Sequence, residues 1–154
     1  MGRLCRTGPV LAISSGGGHW VELLRLRPAW QAHDVVYATV KADHRTEVGS
    51  APFFVVPDAN RHTKRLLIKT CAATFLVLIK VRPSAVVSTG AAPGFFALFF
   101  GKLMGAKTVW IDSIANAEEL SLSGKLVRPF ADVWLTQWEF LASPKGPYYR
   151  GSVL

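Results

Sequence analysis

The sequence predicts a doubly wound α/β domain built on a mostly parallel sheet, and two observations carry that prediction. Short apolar runs recur without polar alternation, and segments of helical length separate them. Strands covered on both faces of a sheet read this way, because neither face meets water. The first run also ends in a glycine turn that opens directly into an amphipathic segment, the handover expected from a parallel strand to its crossover helix.

The elements follow in order. Pro9 to Ile13 is the first strand, and Ser14-Ser15-Gly16-Gly17-Gly18-His19 is the turn that leads into a helix from His19 to Trp30. Val35 to Val40 and Phe53 to Val56 are the next two strands, joined through a loop or short helix at His44 to Ser50. A long helix from His62 to Val81 precedes the strand Ala85 to Ser88. The turn Ser88-Thr89-Gly90-Ala91-Ala92-Pro93-Gly94 then opens a helix from Pro93 to Met104, with a proline at its start and Gly105 just past its end. Lys107 to Ile111 is a strand, Asp112 to Ser123 a polar loop, Ser121 to Phe130 a helix, and Val133 to Thr136 a last strand ending at Gln137-Trp138-Glu139. No repeat or linker interrupts this order, so residues 1–154 read as one domain.

The chain has 154 residues, half of them apolar, and a formal charge of +8. That composition excludes disorder and calls for an anionic partner: nucleic acid, an anionic membrane surface or a phosphorylated substrate. A nucleic-acid module is disfavoured, because the aromatic residues sit inside apolar runs instead of alternating with surface cations. The two cysteines, Cys5 and Cys71, make neither a metal spacing nor a disulfide framework, and Cys71 reads as a core thiol in a reducing compartment. No tightly bound metal or cofactor is expected. Leu66 to Val81 and Gly94 to Met104 are strongly apolar but fall short of the roughly 20 uninterrupted residues a spanning helix needs. Basic residues flank the first of them, a pattern that suits a helix lying in an anionic interface as well as one packed on a sheet. The start, Met1-Gly2-Arg3-Leu4-Cys5-Arg6, does not read as a signal peptide.

Ligands of open parallel sheets bind beyond the carboxyl ends of the strands. That rule selects the first glycine loop, with Ser15, Gly16, Gly17, Gly18 and His19, as a phosphate cradle at a helix N-terminus. It also selects Thr89 and Gly90 in the second glycine loop and the segment from Asp112 to Lys125, where Ser113, Asn116, Ser121 and Ser123 offer hydrogen bonds. Helix capping accounts for Ser121 or Ser123 equally well. His19, Asp112, Glu118 and Glu119 are the candidates for a general base. His33, His44 and His62 read as surface residues.

The SSGGGHWVELLRL, STGAAPG, WIDSIANAEELSLSGK, LTQW and YYRGSVL segments, spread from Val10 to Leu154, together resemble a known family. It is the family of the membrane-associated subunit of the two-part UDP-N-acetylglucosamine transferase of lipid-linked oligosaccharide assembly, with its bacterial exopolysaccharide relatives. Gly17, Gly18 and His19 match the family's GGH; Glu22 and Arg25 match the following helix; Ser113, Glu118, Leu120, Ser121, Ser123, Gly124 and Lys125 match its serine-rich loop. Asp112 stands where eukaryotic members usually carry glutamate, Asn116 where many are basic, and Gly16 where they have serine.

The resemblance implies a single Rossmann-like domain equivalent to the N-terminal, acceptor-binding half of a GT-B glycosyltransferase. It implies an inverting transfer from a UDP-sugar donor to a lipid-pyrophosphate-linked saccharide. A small separate subunit would supply the donor-binding C-terminal half, and the domain would sit on the cytoplasmic face of a membrane, peripheral or monotopic. Eukaryotic members begin with a transmembrane helix, so attachment here is expected from the apolar helices. The competing expectation is a non-catalytic anchor that recruits the catalytic partner.

Overall fold

The computed structural model describes residues 7–59 and 64–153; Cys5, His62 and Leu154 lie outside them. Seven strands form one sheet in the order β3-β2-β1-β4-β5-β6-β7, and every pair is parallel. They are β1 (Val10–Ile13), β2 (Val35–Thr39), β3 (Phe53–Val55), β4 (Ala85–Ser88), β5 (Lys107–Ile111), β6 (Val133–Thr136) and β7 (Tyr148–Tyr149). The helices are α1 (Gly18–Arg25), α2 (Lys64–Val81), α3 (Ala91–Leu103) and α4 (Leu122–Leu126). The chain reverses its direction of winding between β1 and β4, which puts the loops after these two strands on either side of the crevice where open sheets bind ligands.

The unalternated runs have a direct cause. Leu11 and Ile13 of β1 pack in one core with Leu78 of α2 and Leu98 of α3, while Val10 and Ala12 pack in the other with Trp20 and Leu23 of α1. Every second residue thus serves a different core, and no position on the central strand can be polar. Helix α3 lies unusually close to β4: a Cβ built on Gly94 would stand 1.9 Å from Ser88 Oγ, and one on Gly101 2.7 Å from Val86 Cγ2. These two glycines, two turns apart on one face, set the depth of α3 and hence the position of its N-terminus.

Four expectations need correction. The first and last helices are shorter than their apolar periodicity suggested: α1 gives way to a 3₁₀ turn at Arg27–Ala29 and α4 to one at Arg128–Phe130. Pro28 and Pro129 are the reason, since neither can donate the amide that would continue an α-helix. The third helix opens at Ala91, two residues before Pro93. The His44-to-Ser50 segment falls in a short 3₁₀ helix at Ala42–Val48, one of the two forms expected there. A seventh strand, β7, adds to β6; two residues are too few to leave a pattern. His44 is not a surface residue: it is half-buried, its ring stacks on Trp20 with centroids 5.1 Å apart, and Nδ1 pairs with Glu47 at 2.6 Å.

One ion pair ties α3 to the edge of the sheet and makes stability depend on pH. Asp132, before β6, accepts from Lys102 Nζ and from the amide and hydroxyl of Thr108. Burial, the largest influence, pushes its carboxyl up, but the Lys102 and Thr108 hydrogen bonds with the Lys102 charge outweigh it and hold the group below its usual value. A depressed folded pKa contributes stability above the unfolded value and loses it as pH falls through the folded one. Thermal melts between about pH 6 and about pH 3 should therefore show the wild type losing its advantage over Asp132→Asn at the acid end. Parallel curves would refute this role.

Candidate active site

The two glycine loops meet through His19. In the neutral imidazole one ring nitrogen donates and the other accepts. Nδ1 of His19 lies 3.1 Å from the carbonyl oxygen of Thr89, which has no proton to give, so Nδ1 carries the hydrogen and Nε2 keeps its lone pair. The contact is reciprocal, for the Thr89 hydroxyl donates to the backbone carbonyl of His19 at 2.6 Å. Gly90, at φ 147°, passes under the ring so closely that a Cβ there would sit 2.6 Å from Cε1 and Nδ1. The next residue, Ala91, takes the left-handed conformation at φ 65°, a strain that non-glycine residues adopt rarely. Ser88 Oγ steadies this turn by accepting from the Gly90 amide at 3.2 Å.

Gly17, at φ 67°, caps α1 with no side-chain acceptor, and a Cβ on Gly17 or Gly18 would meet nothing within 4 Å. At the start of α1 the amide of Trp20 already bonds to the Gly17 carbonyl at 3.1 Å, which leaves those of Gly18 and His19 as the amides without an intrahelical partner. Lys41 was missed in the sequence. Its methylenes lie about 3.4 Å from where a Cβ of Gly16 would be, and it follows β2, so the carboxyl-end rule applied to that strand would have found it.

His19 lines a cavity of about 450 Å³ whose polar members are Asn116, Ser121 and Ser123 and whose apolar wall includes Leu67, Phe95, Phe96 and Leu126. The N-terminal residues of α3, Ala91 and Ala92, also border it. The first residues of α3 and His19, the second residue of α1, thus bring two helix N-terminal ends to the border of one cavity.

The acidic candidates are placed differently. Asp112 is 1% exposed. Its oxygens accept from Trp110 Nε1 at 3.1 Å, Ser121 N at 2.9 Å, Ser121 Oγ at 2.5 Å and Asn116 Nδ2 at 3.3 Å. Gly124 leaves room for it, because a Cβ there would meet Asp112 Oδ1 at 2.4 Å. Glu119 is exposed and pairs with Lys125 at 2.6 Å, and the hydrogen bond and charge of that lysine hold its carboxyl below the usual value. Glu118 is exposed, and neither it nor Glu119 borders the His19 cavity. Ser113 is buried and donates to Glu22 at 2.7 Å, so its hydroxyl serves the fold of the loop. Ser15 and Gly16 lie half-buried at the start of the glycine loop, with the Ser15 hydroxyl 3.5 Å from the Gly16 carbonyl. Ser121 accepts from Gly124 N at 2.9 Å and caps the start of α4, so one residue both opens a helix and lines the cavity.

Beneath this loop runs a buried polar network that sequence reading did not single out. Glu22 of α1 accepts from Ser113 Oγ and, through its other oxygen, from Gln137 Nε2 at 2.7 Å and Ile114 N at 3.4 Å. Gln137 also donates to the Asp112 carbonyl at 3.1 Å and accepts from Val153 N at 2.9 Å. The LTQW strand end and the match of Glu22 to the family's helix were the hints, and neither distinguished a binding residue from a structural one.

This arrangement has known counterparts. The fold superposes on Acinetobacter baumannii MurG with a TM-score of 0.68 at 12% identity, over 95% of this chain and 46% of that one. It also superposes on the UDP-GlcNAc 2-epimerase of Methanocaldococcus jannaschii with a TM-score of 0.64 at 11% identity, over 86% of this chain and 40% of that one. The domain thus spans just under half the length of these solved chains, and the likeness is one of fold: a single Rossmann-like unit of a GT-B architecture. Among characterised sequences it is 26% identical to the UDP-N-acetylglucosamine transferase subunit ALG14 of Eremothecium gossypii, over 86% of this chain and 74% of that one. The Yarrowia lipolytica subunit of the same name is also 26% identical, over 93% and 81%. Residues 56–153, which hold the second glycine loop, the serine-rich loop and Gln137, match the profile of the family described as oligosaccharide biosynthesis protein Alg14 like, and the chain belongs to that family.

Proposed function

We propose that this domain is the acceptor-binding subunit of a two-subunit glycosyltransferase that moves a sugar from a UDP-sugar to a lipid-pyrophosphate-linked saccharide. The observation that carries the reading is the Nδ1 contact of His19 with Thr89, which leaves Nε2 as an acceptor on a side chain that lines a cavity bordered by the first residues of α3 and by an apolar wall. Amides of Gly17 and Gly18, with those opening α3, would hold the acceptor pyrophosphate, and Lys41 would add charge beside them. Asn116, Ser121 and Ser123 would bind the saccharide.

In the transfer, Nε2 of His19 takes the proton of the acceptor hydroxyl while its oxygen bonds to the anomeric carbon. The bond from that carbon to the diphosphate breaks on the opposite face, and UDP leaves with the electron pair, inverting the configuration. The small companion subunit would hold the donor and neutralise the departing diphosphate. Asp112 is assigned to holding the loop, because both of its oxygens are engaged and it is closed to solvent. Glu119 is committed to Lys125, so neither acid competes with His19.

Membrane attachment completes the reading. No described helix is long and apolar enough to cross a membrane. Ile68 is 70% exposed, Leu103 71%, and Leu76, Leu122 and Leu126 also face outward, beside the exposed Lys64, Arg65, Lys69 and Lys80. An apolar face ringed by cations suits peripheral binding at an anionic, cytoplasmic membrane surface.

The test mixes the chain with candidate companion subunits, a panel of UDP-sugars and a lipid-linked acceptor. Transfer should need both proteins. Transfer by this chain alone, or no transfer with any companion, would refute the division of labour; full transfer without His19 would favour a non-catalytic anchor.

A further inference from the structure

We infer that the seam between α2 and α3 is a track for the first isoprenyl units of a prenyl diphosphate, entered from the cavity at His19. The inference rests on the acceptor-binding reading and deepens it. Beside the His19 cavity lies a second of about 470 Å³, lined by Cys71, Ala72 and Phe75 of α2 and by Phe100 of α3, and the two share Leu67 and Phe96. Both fall within the size range of small-molecule sites, about 300–1,000 Å³.

The stripe from Leu67 to Phe75 follows one face of α2 for two turns, about 12 Å. It carries no charged side chain, whereas the hydrogen-bonding groups all stand at the His19 end. The small Ala72 and Cys71 open the seam between aromatic walls, and Phe75 and Phe100, with ring centroids 4.9 Å apart, lie at its end remote from His19. Cys71, expected in the core, is instead half-exposed on this seam.

A ligand that satisfies the whole shape has an anionic head for the helix N-termini and a slim apolar tail that turns at once between the helices. Continuity with the His19 cavity selects the tail joined to the group bound there. Acyl chains of the bilayer would approach from outside, where Leu76 is exposed and where Ile68, which also lines the seam, is open to solvent. The seam has room for a few branched units, and the remainder of a long prenyl chain would pass into the membrane.

Cys71 supplies the test. In the full chain carrying Cys5→Ser it is the one remaining thiol, and its alkylation by a maleimide is measured with farnesyl diphosphate, dodecyl phosphate, inorganic pyrophosphate or phosphatidylglycerol vesicles present. Farnesyl diphosphate at about ten times its Kd should slow the reaction about tenfold, as occupancy requires. Pyrophosphate should not. Equal protection by dodecyl phosphate, or protection by vesicles and none by farnesyl diphosphate, would overturn the track.

The transfer assay adds a second readout. With acceptors of increasing prenyl length, KM should fall about tenfold or more for each unit that enters the seam, and Ala72→Trp should abolish that dependence. Transfer that ignores prenyl length, together with unprotected Cys71, would refute the track and leave the transferase reading standing. Protection of Cys71 with no transfer in any combination would support the track and refute the transferase reading.

Discussion

His19→Ala should reduce turnover by about 10³-fold, the middle of the range for loss of a positioned general base, with little change in melting temperature. The side chain is half-buried at a cavity rim and its polar partner among the described residues is a backbone carbonyl, so removing it opens no core void. Gly90→Ala is the sharper variant because it leaves the imidazole in place and moves it. The new Cβ would stand 2.6 Å from Cε1 and Nδ1, forcing the ring off the Thr89 carbonyl and releasing the tautomer that carries the lone pair on Nε2. Turnover should fall with KM for the UDP-sugar unchanged, since the proposed companion subunit would hold that site. Measured kcat within about twofold of wild type in His19→Ala would remove the histidine from the chemistry, that being far below the loss of about 10²-fold or more that a general base implies.

The fold was legible in the sequence because its cause is local. A strand such as Val10–Ile13, apolar at every position, cannot serve a sheet with one wet face. Glycine turns after Ile13 and Ser88 likewise marked where ligand loops stand, since strand order follows from connection rules. What could not be read was pairing across the chain. Nothing near His19 in sequence announces Thr89, 70 residues away, and nothing near Glu22 announces Gln137. Composition made the acids at Asp112, Glu118 and Glu119 look equivalent; burial separates them, with one enclosed by four donors and two in solvent. Cys71 misled for the opposite reason: an apolar neighbourhood reads as core, whereas here it lines an open seam between helices.

Glu22→Ala should cost about 3 kcal/mol of stability, because three donors lose their carboxylate at once: the buried Ser113 Oγ, the buried Gln137 Nε2, which keeps only the Asp112 carbonyl, and the half-buried amide of Ile114. For a chain of this size that is a fall in melting temperature of about 6–12 °C. The loss should not be uniform. Glu22 stands one turn after His19 on α1 and fixes the start of the loop that carries Asn116, Ser121 and Ser123, so its removal frees the saccharide side of the cavity while the Thr89 contact keeps His19 in place. KM for the acceptor should rise more than kcat falls, and the 113–121 segment should become the first site of limited proteolysis. Coupling is the decisive measurement. Ser113→Ala removes one of the stranded donors, so the double variant should be more stable than the sum of the single losses implies. Strict additivity would mean that Glu22 and Ser113 act independently, and that α1 does not hold the loop.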